Sequence, residues 1–147
     1  MQREKRKLVA GLFLILAAVR LIAVDVESSP GWLVLEKGKQ LFDAAEYGDA
    51  MYHFRKAHEH LGGSPEAEYW IGRVFEAEGE YTLAARQYQT AIDKRQLLLV
   101  PGHELMIRRR LAQVHFTTQD FAGYASQLEA IIAYDAGLRN DETEIVL

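Results

Sequence analysis

Apolar residues recur at helical spacing in short runs along most of the chain. Between residues 81 and 94 they fall at Leu83, Ala84, Tyr88, Ala91 and Ile92, on one face of a helix. Ser64-Pro65-Glu66 opens the run before it. Serine can cap, proline fits the first turn, and an acid there meets the positive end of the helix dipole. The run from Tyr69 to Glu78 follows, and Gly79 stops it. The same pattern predicts a helix from about Trp32 to Ala45, a break at Tyr47-Gly48, and a second helix to Leu61, ended by Gly62-Gly63. Further on it predicts His103 to Phe116, a turn at Thr117-Thr118-Gln119, and Phe121 to Tyr134. The expected fold class is all-α, built from three helix pairs.

The pairs are copies of one another. A shift of 34 residues aligns Gly38 with Gly72, Glu46 with Glu80, Tyr47 with Tyr81, Ala50 with Ala84 and Ala57 with Ala91. It also sets Phe54 on Tyr88 and Leu41 on Phe75. A further shift of 40 aligns Ile71 with Leu111, Gly72 with Ala112, Val74 with Val114, Tyr81 with Phe121 and Tyr88 with Leu128. Small residues recur where two helices must approach closely, and aromatic ones where the gap beside them must be filled. A repeat of this length is the mark of a stacked helical array.

The second unit, with Ile71-Gly72, Phe75, Gly79-Glu80-Tyr81, Ala84, Tyr88 and Ala91, resembles the tetratricopeptide repeat (TPR) family. The resemblance covers roughly residues 31–134, in units of about 31–64, 65–98 and 105–134. The first unit departs from the pattern at Lys37 and the third at Tyr124. The resemblance implies a right-handed superhelix of antiparallel helix pairs with a concave groove. It also implies that the first helix of each pair lines that groove. The lining would then be Trp32, Leu35, Lys39 and Phe42, next Glu66, Tyr69, Arg73 and Glu76, and last Met106, Arg109, Gln113 and Phe116. Basic groups alternating with rings suit an extended peptide. The asparagine–lysine clamp that some TPR proteins use for a terminal carboxylate is missing, because Leu35 and Lys39 hold its first two places.

The first 25 residues read differently. Five basic and two acidic side chains lie there, against 12 and 19 in the remainder. Arg3-Glu4-Lys5-Arg6-Lys7 precedes an apolar run from Leu8 through Phe13 and Leu16 to Val24, broken only by Arg20. A basic start and an apolar stretch of this length suit a signal peptide or a membrane anchor helix. Basic flanks stay cytoplasmic, which would set the array on the periplasmic or extracytoplasmic side. The resemblance then implies a small exported or membrane-anchored TPR protein of bacterial type. A soluble cytoplasmic adaptor or chaperone-like protein, with residues 1–25 folded against the array, is the alternative.

Little in the chain suggests chemistry. There is no cysteine, and the net charge is −4 in 147 residues, which argues against a nucleic-acid partner. His53, His58 and His60 share one helix, but no two stand four apart as a helical zinc site needs. They read as plain surface histidines. Glu76, Glu78 and Glu80 read as a solvated face near a turn. Arg108-Arg109-Arg110 fans over about 200° of a helix, too wide for one anion site. No catalytic, metal or cofactor site is expected, and an enzyme or metal-binding module is only a remote alternative. The expected partner is another protein or peptide, with the membrane engaged through residues 8–24.

Two segments fit no unit. Leu97-Leu98-Leu99-Val100-Pro101-Gly102 holds a six-residue insertion before the third pair. It reads either as an extra helical turn buried beneath that pair or as an exposed apolar patch. Residues 135–147 read as a mobile acidic tail. With no capping helix after the third pair, its outer face at Tyr124, Leu128 and Ile132 offers a site for a homo-oligomer.

Overall fold

In a computed structural model, residues 26–100 and 102–144 are described, with side chains placed as far as residue 137. The described residues form six α-helices and no strand. They are α1 (Gly31–Asp43), α2 (Tyr47–His60), α3 (Pro65–Ala77), α4 (Tyr81–Asp93), α5 (His103–Thr117) and α6 (Phe121–Glu144). The helices pack as sequence-adjacent pairs: α1 on α2, α3 on α4, α5 on α6. The pairs join through α2–α3 and α4–α5, and α1 also touches α3. The expected anchor segment, with Leu8, Phe13, Leu16 and Val24, lies outside the described residues. Among the described residues, no helix is long and apolar enough to cross a membrane.

The repeat is written in the backbone as well as in the side chains. Within each pair the chain turns through one residue with positive φ: Ala45 at 60°, Gly79 at 80° and Gln119 at 61°. Beside each, one long backbone bond closes the turn, from Glu46 to Leu41 (2.9 Å), Glu80 to Phe75 (2.8 Å) and Asp120 to His115 (2.8 Å). This is the helix-ending geometry in which a left-handed residue lets orphan carbonyls find donors. Both offsets of the sequence repeat reappear in the spacing of these turns. The first turn is therefore at 44–46 and not at Tyr47-Gly48. Gly48 lies in the first turn of α2, where an added Cβ would meet no other part of the protein within 4 Å.

Close helix crossings explain the glycines. A Cβ on Gly38 would stand 2.6 Å from Phe54 Cε1, and one on Gly72 would stand 2.6 Å from Tyr88 Cε1. Ser64 caps α3 as expected: its Oγ accepts from the Ala67 amide at 3.3 Å, with Pro65 in the first turn. Two apolar clusters fill the interior. One joins Val34, Leu35, Phe54, Ile71 and Val74, the other Tyr69, Tyr88, Ile92, Ile107 and Leu111. Trp70 and Phe75 pack against both, so α3 welds the clusters into one core.

Two expectations change. The insertion does not prolong α4, which ends at Asp93 and is followed by a 3₁₀ turn at Arg95–Leu97. Leu98 packs on the second cluster, while Leu97, Leu99 and Val100 are exposed. Of the two readings, the exposed patch holds. Glu66 fastens the loop by accepting the Leu99 amide at 2.8 Å. The last helix also runs past Tyr134 to Glu144, so the segment after residue 135 is helical to that point.

Candidate functional site

The first helices of the three pairs share one continuous row of side chains. Its centre is Trp70 on α3. Its ring stacks on Phe54 at 5.6 Å and meets Phe42 edge-on at 5.5 Å. Lys39 of α1 holds its ammonium 5.7 Å from the Trp70 ring centre, within cation–π range. Arg73, three residues on, spreads its guanidinium over Phe42 at 5.0 Å and Trp70 at 5.6 Å. Its Nη1 donates to the Tyr69 hydroxyl at 3.2 Å. Glu76, one turn further, accepts from the Tyr88 hydroxyl at 2.5 Å and from Arg110 Nη1 of α5 at 3.4 Å. The row thus runs from α1 through α3 to α5.

The environment fixes the protonation states. Burial alone would lower the Arg73 pKa, but the Tyr69 hydroxyl and the neighbouring charge of Glu76 hold it above its ordinary value. Burial also pushes the Tyr88 phenol far up, and its bond to the Glu76 carboxylate adds to the shift. Arg73 is a permanent cation and Tyr88 a permanent donor at any physiological pH.

Beyond Arg110 the row opens into a hollow of about 360 Å³ lined by Gly102, Leu105, Met106, Arg109, Arg110 and Gln113. Met106, Arg109 and Gln113 are exposed there. The arginine triplet splits three ways, as its helical fan requires. Arg108 pairs with Glu104 at 2.7 Å and reaches Gln127 at 3.2 Å, Arg110 pairs with Glu76, and Arg109 faces the hollow.

Two of the expected lining residues are buried instead. Leu35 and Tyr69 belong to the core; Tyr69 is only 4% exposed and its ring lies 5.7 Å from that of Tyr88. Glu66 is engaged with the insertion loop, beside a separate hollow of about 330 Å³ that includes Leu61, Leu97 and Leu99. Phe116 packs at the α5–α6 turn against Tyr124 at 5.5 Å and Phe121 at 6.4 Å. Trp32 is 62% exposed on α1. Lys39, Phe42, Arg73, Glu76, Met106, Arg109 and Gln113 stay in the row or its hollow. Glu76 is no solvated acid, although Glu78 and Glu80 are exposed.

Trp70 and Arg110 are the members that the sequence reading missed. Trp70 stands three residues before Arg73, a spacing that makes helical neighbours. The sequence signal was therefore present, one residue after Tyr69, which took the expected lining place. The histidines are tied locally: His53 to the Asp49 carbonyl (2.9 Å), His60 to that of Ser29 (3.2 Å), and His58 beside Glu68 (3.5 Å). Among the described residues, no three acidic or histidine side chains gather closely enough to hold a metal ion.

What the row offers is a shielded cationic and aromatic surface. Its cations are held by carboxylates as well as by rings: Arg73 Nε is 4.0 Å from Glu76, and Lys39 pairs with Glu36 at 2.6 Å. A carboxylate or a peptide carbonyl would meet ordered donors there, and an apolar side chain would meet rings.

No family model matches the chain. Over 50 residues, 34% of its length, it is 46% identical to an uncharacterized protein of Treponema pallidum (strain Nichols). That match spans 13% of the length of the Treponema pallidum protein, to a stretch of which this chain is similar.

Proposed function

We propose that this chain is a TPR-type interaction module that binds an extended segment of another protein along the row Lys39–Trp70–Arg73–Arg110–Arg109. In this reading the three pairs stack into a right-handed superhelix and the row lies on its concave side. The observation that carries the reading is the Arg73 guanidinium over Phe42 and Trp70, at the meeting of α1 and α3. Such preordered arginine and aromatic groups are the usual anchors of protein interfaces. Residues 8–24 would hold the module at a membrane, with the array on the extracytoplasmic side. The support for that part is the basic-then-apolar pattern of the sequence.

The test is a pull-down from native membranes with matched amounts of wild type, Arg73→Ala, Arg109→Ala and Arg86→Ala. Arg86 is exposed on α4, a second helix. Arg73→Ala and Arg109→Ala are each expected to weaken partner capture by about 1–3 kcal/mol, as truncated anchors do, and Arg86→Ala to leave it unchanged. Capture lost only with Arg86→Ala would place the binding surface elsewhere. Recovery of the full-length chain in the soluble fraction, free of membranes, would refute the anchor.

A further inference from the structure

The outer face of α6 repeats a surface that the other two pairs keep covered. In α2 and α4, Ala50, Phe54, Ala57, Ala84, Tyr88 and Ala91 are all 0% exposed; Phe54 and Tyr88 fill the crossing with their own pair's first helix, and the clusters around them also take in the next pair's Ala67, Ile71 and Val74, or Ile107, Leu111 and Val114. The repeat sets Leu128 at the place of Tyr88 and Ile132 at the place of Ile92. Leu128 is 38% exposed and Ile132 66%, against 3% for Ile92.

The covering helices bring an apolar stripe at spacing i, i+4, i+7. On α3 it is Ala67, Ile71 and Val74; on α5 it is Ile107, Leu111 and Val114, all buried. Helix α6 carries the same spacing outward in Phe121, Ala125, Leu128 and Ile132, all exposed. It therefore presents both the receiving surface and the stripe that such surfaces receive. That makes it complementary to itself.

The other end of the array is different. The places of Ile71 and Val74 are taken on α1 by Lys37 and Gln40. A head-to-tail stack would bury both against an apolar face, and such stacks grow into open filaments. Two tails meeting across a two-fold axis leave the polar heads in water and close the assembly.

We propose that the occupant of this face is a second copy of the chain, with the two α6 helices packed antiparallel about an axis near Leu128. The proposal is independent of what the row on α1, α3 and α5 binds.

The chain has no cysteine, so single-cysteine variants report cleanly. Full-length Leu128→Cys, purified in mild detergent, is oxidised alongside Trp32→Cys, whose reporter is exposed at the opposite end. Leu128→Cys is expected to form interchain disulfides at least about tenfold faster, and adding Ile132→Asp is expected to lower that rate about tenfold, a loss of roughly 1.4 kcal/mol in pairing. Far-UV melts of the same variants should coincide, since Ile132 is exposed. Equal rates for Leu128→Cys and Trp32→Cys would overturn the proposal. So would a Leu128→Cys rate indifferent to Ile132→Asp, or a sedimentation mass of one chain at every concentration. The last result would leave the face to a helix from another protein.

Discussion

Tyr88 occupies the space that any side chain at Gly72 would need, with Cε1 2.6 Å and Cδ1 2.7 Å from where a Cβ would stand. Phe54 and Gly38 repeat the relation at the same two distances. In the third pair the partners are Ala112 and Leu128: the added methyl on one helix goes with a smaller side chain on the other. Gly72→Ala is therefore expected to destabilise by about 1–3 kcal/mol through overpacking. Tyr88→Leu added to it should recover part of the loss, by recreating the third pair's combination. Gly48→Ala, with nothing within 4 Å, is expected to be neutral or stabilising by up to about 1 kcal/mol. Urea unfolding of the four proteins checks the order.

A second expectation follows from the three equivalent turns. Ala45 and Gln119 hold positive φ where the second pair uses Gly79. A side chain in that conformation costs about 1–2 kcal/mol, offset in part by the greater freedom of glycine in the unfolded chain. Ala45→Gly and Gln119→Gly should each stabilise by up to about 1 kcal/mol, and Gly79→Ala should destabilise by a similar amount. Equal melting temperatures for all three variants and the wild type would contradict the equivalence.

The same turns show what the sequence made legible. Helix number, pairing and the offsets of 34 and 40 were readable, because periodicity and small-residue positions report packing directly. The Ser64 cap and the stop at Gly79 were readable because each uses the residue that its geometry favours. The stop at Ala45 was not, since alanine carries no turn signal and nearby Gly48 drew the boundary to itself. At the site, Lys39, Phe42, Arg73 and Glu76 were legible by register. Tyr69 and Leu35 share that register but turn into the core. Side-chain placement at the border of two packed faces is decided by neighbours such as Trp70 and Tyr88, not by spacing along the helix. The fate of Leu97–Val100 hinged on where α4 ends, and a run of leucines does not mark an end.

The Tyr88–Glu76 bond gives a pH signature. The Tyr88 pKa is raised above its unfolded value of about 10, so the neutral phenol is favoured by folding. Its contribution is complete below about pH 10 and falls as pH rises above that. Tyr88→Phe removes it. The melting-temperature difference between wild type and Tyr88→Phe should be constant through neutral pH and shrink above about pH 10. A difference that grows with alkalinity would contradict the assignment.

Tyr69 is now a packing residue. Tyr69→Ala is expected to destabilise by about 3–5 kcal/mol, as large aromatic truncations do in cores. Arg73→Ala loses one hydrogen bond and its ring contacts and should destabilise by only about 1–2 kcal/mol. Chemical denaturation separates the two. A Tyr69→Ala protein as stable as Arg73→Ala would mean that Tyr69 is not part of the core.

The proposed binding surface is tested most directly by photo-crosslinking from single positions in cells that make the full-length chain. A photoreactive residue replaces Met106 or Gln113 at the hollow, or Tyr52 or Arg86 on the exposed surface of the second helices. The account predicts one discrete adduct shared by Met106 and Gln113, absent from Tyr52 and Arg86, and abolished when Arg73→Ala and Arg109→Ala are combined. Adducts that arise only from Tyr52 or Arg86, or that survive the double substitution unchanged, would contradict it.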